Sequence, residues 1–152
     1  MDNPLKIIPV IWRARRPSRI DSMPVMVSKF WMPRNYAGMT FFGTILTGSK
    51  RHVKAFEQKD HTMRNHEMIH LRQAQSTHNS WLLFYLLYGW YSLLALPQNR
   101  KMKNAAYWLN PFEMEAYRHE SDLHYLEHNE ATEWRMYARM SPEERRKKFA
   151  TS

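Results

Sequence analysis

The chain has 152 residues, a formal net charge of +9 and no cysteine. That length fits one domain with a real core, and the lack of cysteine excludes disulfides, thiolate metal sites and a thiol nucleophile while fitting a reducing compartment. A hydrophobic content of 43% with 14% aromatic residues argues against disorder, and the positive charge favours anionic surroundings such as acidic lipid head groups or nucleic acid.

Residues 1–24 are rich in proline and arginine, with Arg13, Arg15, Arg16 and Arg19 close together. They read as an irregular basic arm with a solvated face, capable of anion or lipid contact. The apolar run Ile7 to Ile11 is too short for a secretory core and ends in arginines, so a cytoplasmic location is expected. From Val25 to Met32 the residues turn β-branched and aromatic. Pro33 to Gly38 reads as a turn and Met39 to Thr47 as a second strand, which predicts a β-hairpin. Thr40 to Leu46 is the candidate edge for main-chain pairing with an extended substrate.

Gly48 to Asp60 is a polar connection, and His52 and His61 within and after it read as surface residues. From Asp60 to Gln75 no glycine or proline interrupts a helix, which Asp60 or Thr62 can cap. This run contains His66-Glu67-Met68-Ile69-His70, a His-Glu-x-x-His pattern. Residues four apart share a helix face, so the two imidazoles stand side by side, close enough to share one zinc ion. Glu67 lies about 100° further round and can reach a metal-bound water as general base. The helix is apolar on several sides (Met63, Met68, Ile69, Leu71, Ala74), so it is expected to be buried, where unpartnered histidines would be costly. Gln73, one turn beyond His70, can hydrogen-bond near the pair.

Trp81 to Leu96 carries no charge over sixteen residues. As a helix it spans about 24 Å, short of the roughly 30 Å hydrocarbon layer. It reads first as a core helix and second as a helix on a membrane surface, with Arg100, Lys101 and Lys103 placed to meet acidic head groups. Peripheral membrane contact through 81–96 is therefore an expected partnership, and nucleic-acid binding is not expected.

Asn110 and Pro111 form a cap and first position for another helix. Glu113 has two readings there, as a capping-box carboxylate or as part of a polar face with Tyr117, Glu120 and His124. A second pattern, His124-Tyr125-Leu126-Glu127-His128, matches the inverted zinc motif. That motif needs a glutamate on a further helix, and only 24 residues follow it, so the first pattern is the stronger metal site. Residues 131–152 read as a basic C-terminal tail, with Ser141-Pro142-Glu143-Glu144 starting a solvated helix that carries Arg145 to Lys148.

His-Glu-x-x-His followed on a later helix by Glu113-Met114-Glu115-Ala116 resembles the gluzincin class of zinc metallopeptidases. The likeness is nearest to small bacterial zincin-like domains and to HtpX-like and CAAX-protease-like peptidases. The resemblance implies an α+β, zincin-like body over residues 25–130, its N-terminal β-hairpin packed on a mainly helical half. It implies one zinc ion held by His66, His70 and Glu113, with Glu115 as the alternative third ligand. Glu67 would be the general base for hydrolysis of a peptide or protein substrate, and Tyr117 or His124 would stabilise the oxyanion. Many family members carry aspartate after the alanine; this chain has Tyr117, so support for a ligand histidine falls to Glu120 or His124. The competing functions are a non-catalytic zincin-like binding domain and a basic membrane or nucleic-acid adaptor with an accidental histidine pattern.

Overall fold

The fold is that of a computed structural model, which describes residues 4–12, 14–32 and 36–151. In chain order the helices are α1 (Ile8–Trp12), α2 (Lys50–Glu57), α3 (Thr62–Ser76), α4 (Trp81–Ala95), α5 (Ala105–Trp108), α6 (Pro111–His119), α7 (Tyr125–His128), α8 (Trp134–Ala138) and α9 (Pro142–Phe149). The strands are β1 (Val25–Val27), β2 (Met39–Phe41) and β3 (Thr44–Thr47), and the architecture is α+β.

The sheet differs from the expected hairpin. Val25–Val27 does not pair with β2; it lies parallel to β3, and the strand order is β1-β3-β2. The hairpin is instead folded inside Met39 to Thr47, with Thr40 opposite Ile45. Its two central residues, Phe42 (φ 46°) and Gly43 (φ 81°), are both left-handed, as a two-residue turn matching the strand twist requires. Glycine adopts that conformation freely and phenylalanine does not, so the turn has only half its usual sequence signal. The expected turn at 33–38 falls partly on Pro33, Arg34 and Asn35, outside the described residues.

Helix α3 lies at the centre. Its N-cap is His61 rather than Asp60 or Thr62, and the His61 ring accepts a hydrogen bond from the Met63 amide. Nine of its fifteen residues are buried, polar ones included. The buried Arg64 guanidinium donates to the carbonyls of Met23 and Phe56 and to Ser22, tying the arm and α2 to this helix. The main core packs Ile45, Leu71, Ala74, Trp81, Phe84 and Phe112 together, joining sheet, α3, α4 and α6.

Both ends of the chain are more closely packed than expected. In the arm, Ile7 is buried against Met32 and Leu46, and the Trp81 indole donates to the Arg15 carbonyl; Arg13 lies outside the described residues. In the tail, Trp134, Tyr137 and Arg145 are buried, and the Arg145 guanidinium donates to the Leu109 carbonyl. Helix α9 does begin at the expected Ser141-Pro142-Glu143-Glu144 start, where Ser141 and Glu144 form a capping box, and is otherwise largely solvated.

No single helix among the described residues is long and apolar enough to cross a membrane. Helix α4 packs one side on the core through Trp81, Phe84, Tyr85 and Tyr88 and leaves Leu82, Leu86, Trp90 and Leu93 exposed.

Candidate metal centre

Two helices build the site. The i, i+4 spacing on α3 places His66 Nε2 and His70 Nε2 3.1 Å apart. Asn110 caps α6 by accepting from the Phe112 amide, and Pro111 follows at the first helical position, so Glu113 is held in the first turn. Its carboxylate does not reach back to the cap. It faces the histidines, with Oε2 3.3 Å from His66 Nε2 and Oε1 3.5 Å from His70 Nε2. All three side chains are buried and form a group able to hold a metal ion.

The surrounding hydrogen bonds fix which nitrogens carry protons. Gln73 donates its amide to the Phe112 carbonyl and to Glu115, so its Oε1 accepts from His70 Nδ1 at 2.8 Å. The Glu120 carboxylate likewise accepts from His66 Nδ1 at 2.9 Å. We therefore assign both neutral rings as Nδ1–H tautomers. The two Nε2 lone pairs then converge on Glu113, whose Oε2 is buried without a hydrogen bond. Three acceptors facing one another demand a cation. Protons fill that place when no metal does. Burial opposes charge on His66, but a proton on its Nε2 would be shared with Glu113, and that contact, the Nδ1 bond to Glu120 and the nearby carboxylates overcome burial and lift the ring to about 10. Glu113 is pulled down correspondingly: burial raises it, and the His70 and His66 rings more than reverse that effect.

Polar groups from two further elements close around these atoms. The Tyr88 hydroxyl on α4 donates to Glu113 Oε1 at 2.6 Å. Its phenol is held well above its usual range, by burial first and then by Glu113, so it keeps that proton. On β2, the Thr40 hydroxyl lies 2.6 Å from Glu67 Oε2 and donates to it. The Tyr85 hydroxyl accepts from the Phe42 amide and donates to the Thr40 carbonyl, fastening β2 to α4. A cavity of about 280 Å³ reaches His66, Glu67, His70 and Glu113, and a wider one of about 620 Å³ adjoins it at His66 and Glu67.

Of the expected site residues, His66, Glu67, His70 and Glu113 come together. Tyr117 lies beside them, its ring edge-on to His66 at 4.5 Å between centroids, and its hydroxyl is 2.7 Å from that of Tyr107. Burial, chiefly, pushes the Tyr117 phenol up to about 12. His124 does not join them. Its side chain is 77% exposed and turned to Glu127, and His128 of the inverted motif is 79% exposed. Helix α6 ends at His119, because Asn65 draws in the carbonyls of His119, Glu120 and Asp122 and the chain bends away. The polar face therefore holds as far as Glu120 and fails at His124.

Glu115 does not join the group either. Its carboxylate is completely buried and accepts four hydrogen bonds, from Gln73, Tyr125 and the amides of Glu133 and Trp134. Sequence reasoning missed Tyr88 and Tyr85. Their three-residue spacing within an apolar helix is the usable signal, since buried phenols seek polar partners. The Thr40 hydroxyl was missed as well, although β2 itself was expected beside the cleft.

No protein-family model matches the chain, and comparison with curated proteins and with solved structures finds no significant match.

Proposed function

We propose that the chain is a zinc-dependent metallopeptidase with a zincin-like arrangement, holding one ion on His66, His70 and Glu113. The observation that carries this reading is the convergence of three buried acceptors. Their separations of 3.1, 3.3 and 3.5 Å match the roughly 3.3 Å between ligands of a tetrahedral ion with bonds near 2.05 Å. A set of two imidazoles and one carboxylate, without thiolates, is of the catalytic type and leaves a position for water. The support of His66 by Glu120 and of His70 by Gln73 is what ligand histidines receive in zinc sites.

When bound, zinc polarises a carbonyl and lowers the pKa of a water molecule to about 7. Glu67 Oε1 takes the proton of the attacking water and passes it to the leaving amine, while Thr40 holds Oε2 and fixes the carboxylate plane. Tyr88 keeps Glu113 oriented. Tyr117, protonated at neutral pH and edge-on to His66, is the donor assigned to a developing oxyanion.

The test is metal analysis and peptidase assay of purified wild type beside His66→Ala, His70→Ala, Glu113→Ala and Glu67→Gln. The first three lose the ion. Glu67→Gln keeps it and loses about 10²- to 10⁴-fold in turnover, the range for a general base. Full activity in Glu67→Gln overturns the assignment of the base, and zinc binding with no hydrolysis by wild type reduces the protein to a binding domain.

A further inference from the structure

We propose that the outer face of α4 docks on an anionic lipid surface. The helix has two apolar faces and no polar one. Trp81, Phe84, Tyr85 and Tyr88 pack inward, whereas Leu82 (68% exposed), Leu86 (61%), Trp90 (56%) and Leu93 (60%) form a stripe nearly opposite. Steps of four, four and three residues keep these side chains within roughly 80° of one another around the axis. A contiguous apolar stripe of this kind marks an interaction surface, unlike apolar residues scattered singly.

Charge selects the occupant. The short 3-10 helix Leu96–Arg100 and the turn after it carry Arg100, Lys101 and Lys103, all exposed, at the end of the stripe where Leu96 is also exposed. Basic residues beside an apolar stripe suit acidic head groups lying over acyl chains, and a tryptophan within the stripe suits the boundary between them. A second copy of the chain suits it poorly, because each copy brings +9 and the same basic turn. The helix lies in the plane of the surface: its fifteen residues span about 22 Å, too short to cross, and its inner face is committed to the core and, through Tyr88, to Glu113. This inference does not depend on the metal or on catalysis.

The experiment is flotation of the full chain with vesicles of phosphatidylcholine alone and of phosphatidylcholine containing one-third phosphatidylglycerol, with circular-dichroism melting as the check on folding. Wild type floats with the acidic vesicles and far less with the neutral ones. The exposed-face variant Leu86→Glu/Trp90→Glu/Leu93→Glu melts as a folded protein and binds acidic vesicles at least about tenfold more weakly. Arg100→Glu/Lys101→Glu/Lys103→Glu loses the preference for acidic lipid. Undiminished vesicle binding by the folded exposed-face variant overturns the proposal, since attraction would then run through charge elsewhere. So does a wild type that ignores vesicles yet sediments as a dimer that the same variant makes monomeric.

Discussion

Two carboxylates on the same helix, two residues apart and both buried, have opposite surroundings. Glu115 accepts four hydrogen bonds and has no capacity left. Glu113 accepts one from Tyr88 and otherwise faces two imidazole nitrogens, with one oxygen unpaired. A buried acid that is fully satisfied is part of the framework, here gathering Gln73, Tyr125 and the start of α8 around α6. A buried acid left short of donors is waiting for a cation. The comparison distinguishes the two roles by counting donors, where sequence position alone left either residue eligible.

The largest effect that sharpens this contrast is on stability. Glu115→Ala strands several buried donors and is expected to cost about 3 to 5 kcal/mol in denaturant unfolding, whereas Glu113→Gln in metal-free protein is expected to cost less than about 2 kcal/mol. Equal losses would erase the distinction. Next, zinc at a hundred times its dissociation constant should stabilise wild type by about 2.7 kcal/mol and Glu113→Gln hardly at all, read as a shift in melting temperature. Removing support without removing a ligand is a smaller perturbation: Gln73→Ala or Glu120→Gln should weaken zinc binding by about 10- to 100-fold in a competition titration with a chelator.

The pH dependence follows from His66. Its folded value of about 10 lies above the ordinary 6.5, so the stabilisation it gives metal-free protein is complete below about 6.5 and is lost as pH climbs towards 10. Melting of the metal-free chain should therefore weaken across that window. Zinc should flatten the profile, because the ion replaces the protons it displaces. The smallest effect concerns Thr40→Val, which frees Glu67 Oε2 and should lower turnover several-fold without changing zinc content, as measured by peptidase assay and metal analysis.

What was legible in the sequence was local. The unbroken run around His66, the Asn110-Pro111 start and the Ser141-Pro142 start each depend on neighbours a few residues away, and the helices formed there. The site was legible for the same reason, as two short helical patterns. What escaped was set by distant partners. Parallel pairing of β1 with β3 leaves no mark within β1, and the tight turn at Phe42-Gly43 carries one glycine where two turn residues are usual. His124 was misplaced because no glycine or proline announces the end of α6; the bend is imposed by Asn65, more than fifty residues earlier. The burial of Trp134 beside Glu115 was hidden in a segment whose charge suggested a free tail.

Tyr85 has a bearing on how an extended peptide, the substrate class proposed above, would be received. Strand β2 is a free border of the sheet, but the outward carbonyl of Thr40 and the amide of Phe42 are already engaged by that phenol. A guest chain laid along this border finds its central rung taken, and gains a full ladder only by turning Tyr85 aside. For such a guest, grip would come chiefly from side chains settling in the neighbouring hollows, so that the shape of its residues would count for more than the continuity of its backbone.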